Sequence, residues 1–368
     1  MSDNQSGFSV NASRIGSRGG LRTFTEAALQ CLASQDNNVD VILPRGVRAP
    51  AGMKTFVLPE LLSSSSHVSK WRPLLWLAYA TFLFPVKRSR RVLSTTHQVL
   101  PFRRRQIVTV HDLRPYFEPD TWAQKLYFHA ILPRALRRCD GILTVSMTSK
   151  QEIVAVYGIN PAIIHVVPNA IDVPRRDTGF GTEPPDIVYP YLLMVGASWT
   201  HKNAIEVLEQ HALWKHHFRL KIVAGTGQYS ERLRERSRVL GIGDIVEILH
   251  DVTDATLAKL YQECKALVYP STREGFGLPP LEAMARGKAV IVSDIPVFRE
   301  LFGDVPLFVS LGDTDSWKRA IDSIITQGVD SERLNAGLEL SASYSRERMC
   351  IALNAALRKI WDVTSEGQ

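Results

Sequence analysis

Two glutamates stand eight positions apart in the stretch STREGFGLPPLEAMARGKAVIVSD, residues 271–294: Glu274 and Glu282. Between them lie Gly275, Gly277, Pro279 and Pro280, a density of turn-formers that marks a loop running into a helix. Pro280 suits a first helical turn, where its missing N–H costs nothing, and Gly287 closes the helix read from PLEAMARG. Glu282 then belongs to the first turn and Glu274 to the glycine-rich loop ahead of it. Small residues that lead free N–H groups into a helix N-terminus make a seat for phosphate. Flanking carboxylates would repel an anion unless they hold something else, and hydroxyls are the evident partners. Residue types and spacing together point to a ligand that carries both phosphates and sugars.

Other segments add candidates of lower specificity. Lys202 and Asn203, in YLLMVGASWTHKN, fall just past a strand end, where an ammonium can meet a diphosphate as a point charge. A surface lysine at a helix start has the same local pattern. His111, in QIVTVHDLRPYFEP, directly follows a buried strand, although a lone histidine more often serves structure than chemistry. SRIGSRGGLRTFTEAALQCL sets Gly16, Gly19 and Gly20 before an amphipathic helix. The spacing is not the G-x-G-x-x-G of a dinucleotide fold, yet it lets backbone amides approach a ligand. IHVVPNAID ends a strand in a turn that contains Asn169. Asp313 and Asp315, in SLGDTDSWKRAI, have the spacing of a metal–diphosphate site but immediately precede an amphipathic helix. Capping is the simpler reading, and no metal site is expected.

The elements that must position these groups alternate along the chain. Short apolar runs read as strands: VDVILP, QIVTVHD, GILTVS and IIHVVPN, then YLLMVGA, LKIVAG, IVEIL, ALVYPS, AVIVSD and LFVSL. Helices fit between most of them, for example at 205–217, 228–240, 254–264 and 314–327. Such alternation predicts parallel sheets covered by helices, an α/β fold of two doubly wound Rossmann-like domains facing a central cleft at their strands' carboxyl ends. The expected boundaries are 1–174 for the first domain, 175–190 for a Gly- and Pro-rich linker, and 191–345 for the second. A C-terminal helix, 346–368, is expected to pack back toward the first.

At 368 residues, with a net charge of +7, the chain has room for two full cores. Residues 1–180 hold 23 Lys and Arg against 12 Asp and Glu, and the remainder holds 21 against 25. The first half is expected to meet something anionic, unless its cations are merely solvated. MSDNQSGFSVNASRIG has neither a basic start nor an apolar core, so no secretory signal is expected. Cysteines 31, 139, 264 and 350 form no Cys-x-x-Cys pair and read as reduced core thiols of a cytoplasmic protein.

Taken together, GGLRTF, VTVHDLRP, LTVSMTSKQEI, HVVPNAID, VGASWTHKN, DATLAKLYQECKALVYPS and EGFGLPPLEAMARG resemble the retaining glycosyltransferases of family 4, with their GT-B fold. The resemblance runs nearly the whole chain, and its most specific part is the E-x7-E signature at Glu274 and Glu282. It implies that Glu274, with His111, binds the donor sugar. Gly275, Phe276, Gly277 and Leu278 would lie near sugar and diphosphate, and Glu282 would hold the ribose hydroxyls. Lys202 would neutralise the departing diphosphate without a metal. Gly19 and Gly20 would approach the donor phosphates, and Asn169 and Val252 complete the donor-binding set. His201 and Ala197 occupy places where many members carry an arginine, which leaves Lys202 more alone against the diphosphate.

The likeness extends to bacterial polysaccharide mannosyl- and rhamnosyltransferases, so GDP-mannose is the favoured donor, with UDP- and dTDP-sugars open. The acceptor would be a glycan or a polyprenyl-diphosphate-linked glycan. Competing classes are a non-hydrolysing nucleotide-sugar epimerase, which lacks this E-x7-E context, and a catalytically weak binding partner. Nucleic acid is not an expected ligand, because the basic clusters lack interleaved aromatics. An inner-face membrane contact is expected through KWRPLLWLAYATFLFPVKRSRR, residues 70–91. Its apolar core is too short to span a bilayer, but Trp76, Tyr79, Phe82 and Phe84 precede Lys87, Arg88, Arg90 and Arg91. Burial of this helix in the first domain is the alternative.

Overall fold

The computed structural model describes residues 7–15, 19–34, 39–59, 62, 72–86, 90–101, 103, 105–172, 189–326 and 330–363. The chain divides into two compact units, Met1–Ala170 with Arg346–Gln368, and Ile171–Ser345. Of the expected linker, only Tyr189 and Pro190 fall among the described residues.

In the first unit seven strands form one parallel sheet: β1 (Phe8–Asn11), β2 (Val39–Leu43), β3 (Lys54–Val57), β4 (Arg91–Ser94), β5 (Gln106–Thr109), β6 (Gly141–Thr144) and β7 (Ile164–Val166). Their order is β3-β2-β1-β4-β5-β6-β7. The second unit has β8 (Tyr191–Val195), β9 (Arg219–Val223), β10 (Val246–Leu249), β11 (Ala266–Tyr269), β12 (Ala289–Ser293) and β13 (Leu307–Val309). Their order is β10-β9-β8-β11-β12-β13, again all parallel. Central strands such as ALVY of β11 and AVIVS of β12 are buried along their length, because helices cover both faces.

Three strands escaped the sequence pattern. β1 (FSVN) alternates apolar and polar residues and β4 (RVLS) has only two apolar residues between polar ends, and the polar members are satisfied inside the fold. Asn11 Nδ2 donates to Ser94 Oγ at 3.1 Å, and Ser9 Oγ accepts from Arg90 Nε at 3.1 Å. β3 is a half-exposed edge.

The helix Arg346–Val363 returns to the first unit and lies against the helix Gly20–Ala33. Trp361 packs on Phe8 at 4.6 Å between ring centroids, and Arg91 lies over the same indole. The two helices bring Cys31 and Cys350 to a Cα separation of 5.4 Å, and the residues are disulfide-bonded. The expectation of four reduced thiols therefore holds only for Cys139 and Cys264, which are buried. A separation of 319 residues hid the pairing from any spacing argument.

The aromatic helix Arg72–Phe82 also departs from expectation. Trp76 and Tyr79 are buried in a cluster with Ile42 and Val92, with Phe84 packed against it, and the Trp76 indole donates to the Val99 carbonyl at 3.1 Å. These rings are core, because the helix covers the sheet. Phe82 and Leu83 at its end are the exposed members. Arg90 pairs with Asp40 at 3.1 Å, and Lys87 and Arg88 lie outside the described residues.

Candidate active site

Strand order reverses in the second sheet between β8 and β11: the chain winds outward through β9 and β10, then returns to β11, β12 and β13. The carboxyl end of such a reversal is the usual ligand position in an open parallel sheet. The β8 loop turns at Gly196, runs through the short helix Thr200–Lys202 and ends at Asn203 in the left-handed region, φ 54°. Glu206 pins that corner. One of its oxygens accepts Asn203 Nδ2 at 2.6 Å; the other accepts the Trp317 indole at 2.9 Å and the Gly312 amide at 2.7 Å.

The β11 loop is tied to the β8 loop through the Thr272 amide, which donates to the His201 carbonyl at 2.8 Å. That link brings Lys202 Nζ to 2.5 Å from Glu274 Oε1. Their side chains are only 15% and 12% exposed, so the pair is largely desolvated. Burial works against the Lys202 ammonium, but Glu274 and the Tyr269 oxygen more than offset it, and the lysine is held above its usual range. Burial likewise opposes the Glu274 carboxylate, yet Lys202, with a smaller contribution from His201, holds its pKa below the ordinary value. His201, standing where the resemblance leads one to expect arginine, is thus buried and supports the loop junction through its carbonyl.

Gly277 closes the loop at φ 152°, and a Cβ there would lie 2.7 Å from Phe302 Cζ and 3.1 Å from Phe298 Cε1. Both rings come from the helix Pro296–Phe302 and stack on each other at 5.4 Å. The helix after the loop, Leu278–Met284, starts two residues earlier than the sequence pattern indicates, with prolines at its second and third positions. Glu282 consequently falls in its second turn. Glu282 Oε2 accepts the Tyr261 hydroxyl at 2.7 Å, and Arg286 lies 5.1 Å from the Tyr261 ring centre. Burial raises the Glu282 pKa, with the Tyr261 hydrogen bond and Arg286 opposing it.

Residues 274–278 and Lys202 therefore come together, with Glu282 one helix turn further along the chain. Val252, half-buried, follows β10 and the left-handed residue Asp251, φ 50°. Gly16 lies outside the described residues. The other expected residues belong to the first unit, whose strand order reverses between β1 and β4. Gly19, φ 104°, is exposed and precedes the helix that begins at Gly20. His111 follows β5 and is buried; its Nε2–H donates to the Thr95 carbonyl at 2.9 Å. Its ring meets the edge of Phe24 at 4.9 Å, and burial keeps the imidazole neutral by lowering its pKa. Asn169 is buried, and its Oδ1 accepts no hydrogen bond among the described residues.

Tyr261, Tyr269, His97 and Gln98 were not singled out from the sequence. The tyrosines lie within LYQECKALVYPS: Tyr269 ends β11, its one signal being that carboxyl-end position, whereas Tyr261 lies in the helix Asp254–Glu263 ahead of the strand and carries none. His97, beside His111 and Arg14, has its pKa pushed down to about 3, chiefly by burial. Gln98 Oε1 accepts the Ser13 hydroxyl. Asp313 is a helix cap, its Oδ1 accepting the Asp315 amide at 3.0 Å.

Two parallel-sheet units with this site define a GT-B glycosyltransferase. The Glycosyltransferase Family 4 profile matches residues 18–175 and that of the Glycosyl transferases group 1 matches 183–337. The O-antigen chain mannosyltransferase RfbU of Salmonella typhimurium is 37% identical over 86% of this chain and 90% of that protein. The chain belongs to this glycosyltransferase family and is an enzyme of that class. The lipopolysaccharide core mannosyltransferase LpcC of Rhizobium leguminosarum is 26% identical over 89% of this chain and 94% of its own. Among solved structures, a sucrose-phosphate synthase from Thermosynechococcus elongatus covers 97% of this chain and 99% of its own with TM-score 0.77 and 18% identity. That likeness concerns the fold alone.

Proposed function

We propose that the protein transfers mannose, with retention, from GDP-mannose to a lipid-linked glycan in cell-surface polysaccharide synthesis. The observation that carries this reading is the Lys202–Glu274 pair at the β8/β11 reversal, on a loop rich in backbone amides. The mannosyltransferase relatives support the sugar, and guanine follows from it as the favoured base.

In this reading Glu274 and the amides of residues 275–278 hold sugar and diphosphate, and Asn169, Val252, Gly19 and Gly20 contribute to donor binding. The ribose hydroxyls donate to Glu282, which Tyr261 fixes through Oε2 so that Oε1 meets the ligand. As the glycosidic bond breaks, negative charge grows on the diphosphate, and the Lys202 ammonium and loop amides stabilise it in place of a metal. A leaving phosphate oxygen takes the acceptor's proton on the same face of the sugar, so no separate base is required. His111, neutral and desolvated, acts on the sugar as a hydrogen-bonding group.

The test is steady-state transfer with purified variants. Lys202→Ala and Glu282→Ala are each expected to lower kcat/KM at least about tenfold with the fold intact, roughly 1.4 kcal/mol or more of lost transition-state binding. His111→Ala should lower turnover more than nucleotide affinity. Near-normal turnover in both of the first two variants rejects the assignment. A thermal-shift panel of GDP, UDP and dTDP tests the base, since the matching nucleotide stabilises by mass action.

Lipid linkage of the acceptor is supported by the end of the helix Arg72–Phe82. There Phe82 and Leu83 are 81% and 69% exposed, next in sequence to the basic run at 87–91. Exposed aromatic and aliphatic side chains beside cations suit the interface of an anionic leaflet. Among the described residues no helix is long and apolar enough to cross a membrane.

A further inference from the structure

The Lys202–Glu274 pair has a third member. Tyr269 ends β11, is 2% exposed, and packs its ring on Phe298 at 5.9 Å. Its phenolic oxygen accepts from Lys202 Nζ at 2.5 Å, and the ammonium sits 4.8 Å from the ring centre. A lysine ammonium has three N–H donors on a flexible stem, and a single contact with a carboxylate fixes its distance without fixing its direction. Two acceptors, Glu274 and Tyr269, fix both. Among the described residues the third N–H has no acceptor, and the two contacts give it a heading.

The chemistry of the second acceptor matters as much as its place. With Glu274 already balancing the lysine, another carboxylate would make the cluster net negative and repel a phosphate. A neutral phenol orients the ammonium and adds no charge. Burial, reinforced by the neighbouring Glu274, raises the phenol's pKa well above its ordinary value, so Tyr269 stays neutral beside Lys202. The ring cannot swing away, because Phe298 backs it, and Phe298 also lies against Gly277 at the other end of the same loop.

We propose that Tyr269 is a positioning residue for the transfer reaction: its hydroxyl aims the third N–H of Lys202 at the donor diphosphate without adding negative charge. The inference rests on the reading of Lys202 as the diphosphate-binding group. It also accounts for activity without the expected arginine, since a lysine held by two acceptors reaches the leaving group at one fixed orientation.

The test compares Tyr269→Phe with Lys202→Ala in the full-length protein, using whichever nucleoside diphosphate stabilises the wild type and its monophosphate. Tyr269→Phe is expected to leave monophosphate affinity within about twofold, weaken diphosphate binding about fivefold and lower kcat about tenfold, as loss of one charged hydrogen bond implies. Lys202→Ala should show a larger loss in the same pattern. If Tyr269→Phe keeps the diphosphate preference and kcat while Lys202→Ala loses both, the positioning role is wrong and the lysine assignment stands. If Lys202→Ala keeps the preference, the lysine assignment fails and the inference falls with it. Should Tyr269→Phe lose its fold, 3,5-difluorotyrosine at position 269 keeps the ring and weakens the oxygen as an acceptor. A smaller loss in the same direction is then expected, and an unchanged kcat and diphosphate preference overturns the proposal.

Discussion

Gly277→Ala is expected to damage the second unit far more than a single methyl implies. The residue sits at φ 152°, outside the range that L side chains adopt readily, which costs about 1–3 kcal/mol on substitution. The new Cβ would also stand 2.7 Å from Phe302 Cζ and 3.1 Å from Phe298 Cε1, in rings that are nearly or fully buried and have little room to yield. Overpacking of this kind costs about 1–3 kcal/mol. Together the two effects lower stability by about 2–6 kcal/mol, or about 4–24 °C in the melting temperature of a unit this size. Thermal melts and urea midpoints measure it. A second variant separates the contributions. Phe302→Leu removes the clashing Cζ at a cost of its own, so Gly277→Ala/Phe302→Leu should be less destabilised than the sum by about 1–2 kcal/mol, the backbone strain remaining. A Gly277→Ala protein within about 0.5 kcal/mol of wild type, or an additive double mutant, would refute the packing argument.

Nucleotide affinity should fall with acid earlier than an ordinary glutamate would allow. Ribose hydroxyls need the Glu282 carboxylate, and burial raises its pKa from 4.5, so affinity is present above the raised value and lost below it. Titrations downward from neutral pH should show the loss setting in above the ordinary carboxylate range, and Glu282→Gln should bind weakly without it. The sign for stability is opposite, because the folded state holds that proton more tightly: this group's contribution is greatest below pH 4.5 and declines as pH rises through the raised pKa. Transfer is expected to survive EDTA, with charge compensation supplied by Lys202; abolition by EDTA and recovery with Mg²⁺ or Mn²⁺ would contradict that. Wild-type protein should co-sediment with anionic liposomes at low salt, and Phe82→Ser/Leu83→Ser should release it; wild type left in the supernatant ends the membrane reading.

Strands with strong apolar runs, β8, β11 and β12 among them, were legible because parallel sheets buried on both faces demand such runs. β1 and β4 were not, since Asn11 and Ser94 satisfy one another only once the sheet has formed. The loop at 274–278 was legible from its glycines and prolines, whose backbone demands are local. Its partners were less so: Tyr269 and Tyr261 lie in an apolar helix–strand segment and take on their roles only through packing that brings them to Lys202 and Glu282. The Trp76 and Tyr79 rings carried the pattern of an interfacial belt and turned out to be core, because periodicity reports an apolar face without naming what covers it.

The return of the helix Arg346–Val363 makes the first unit discontinuous in sequence. Gly141 has no room for a side chain: a Cβ there would stand 2.5 Å from Ile360 Cδ1, so β6 is finished by a residue more than two hundred positions downstream. The second unit, Ile171–Ser345, has no such dependence. During synthesis the ribosome delivers all of the second unit before Ile360 and Trp361 emerge. The unit made first is therefore the one completed last, with an apolar patch around Phe8 and Gly141 left open meanwhile. Nascent chains halted between 345 and 360 are where chaperone contact should concentrate.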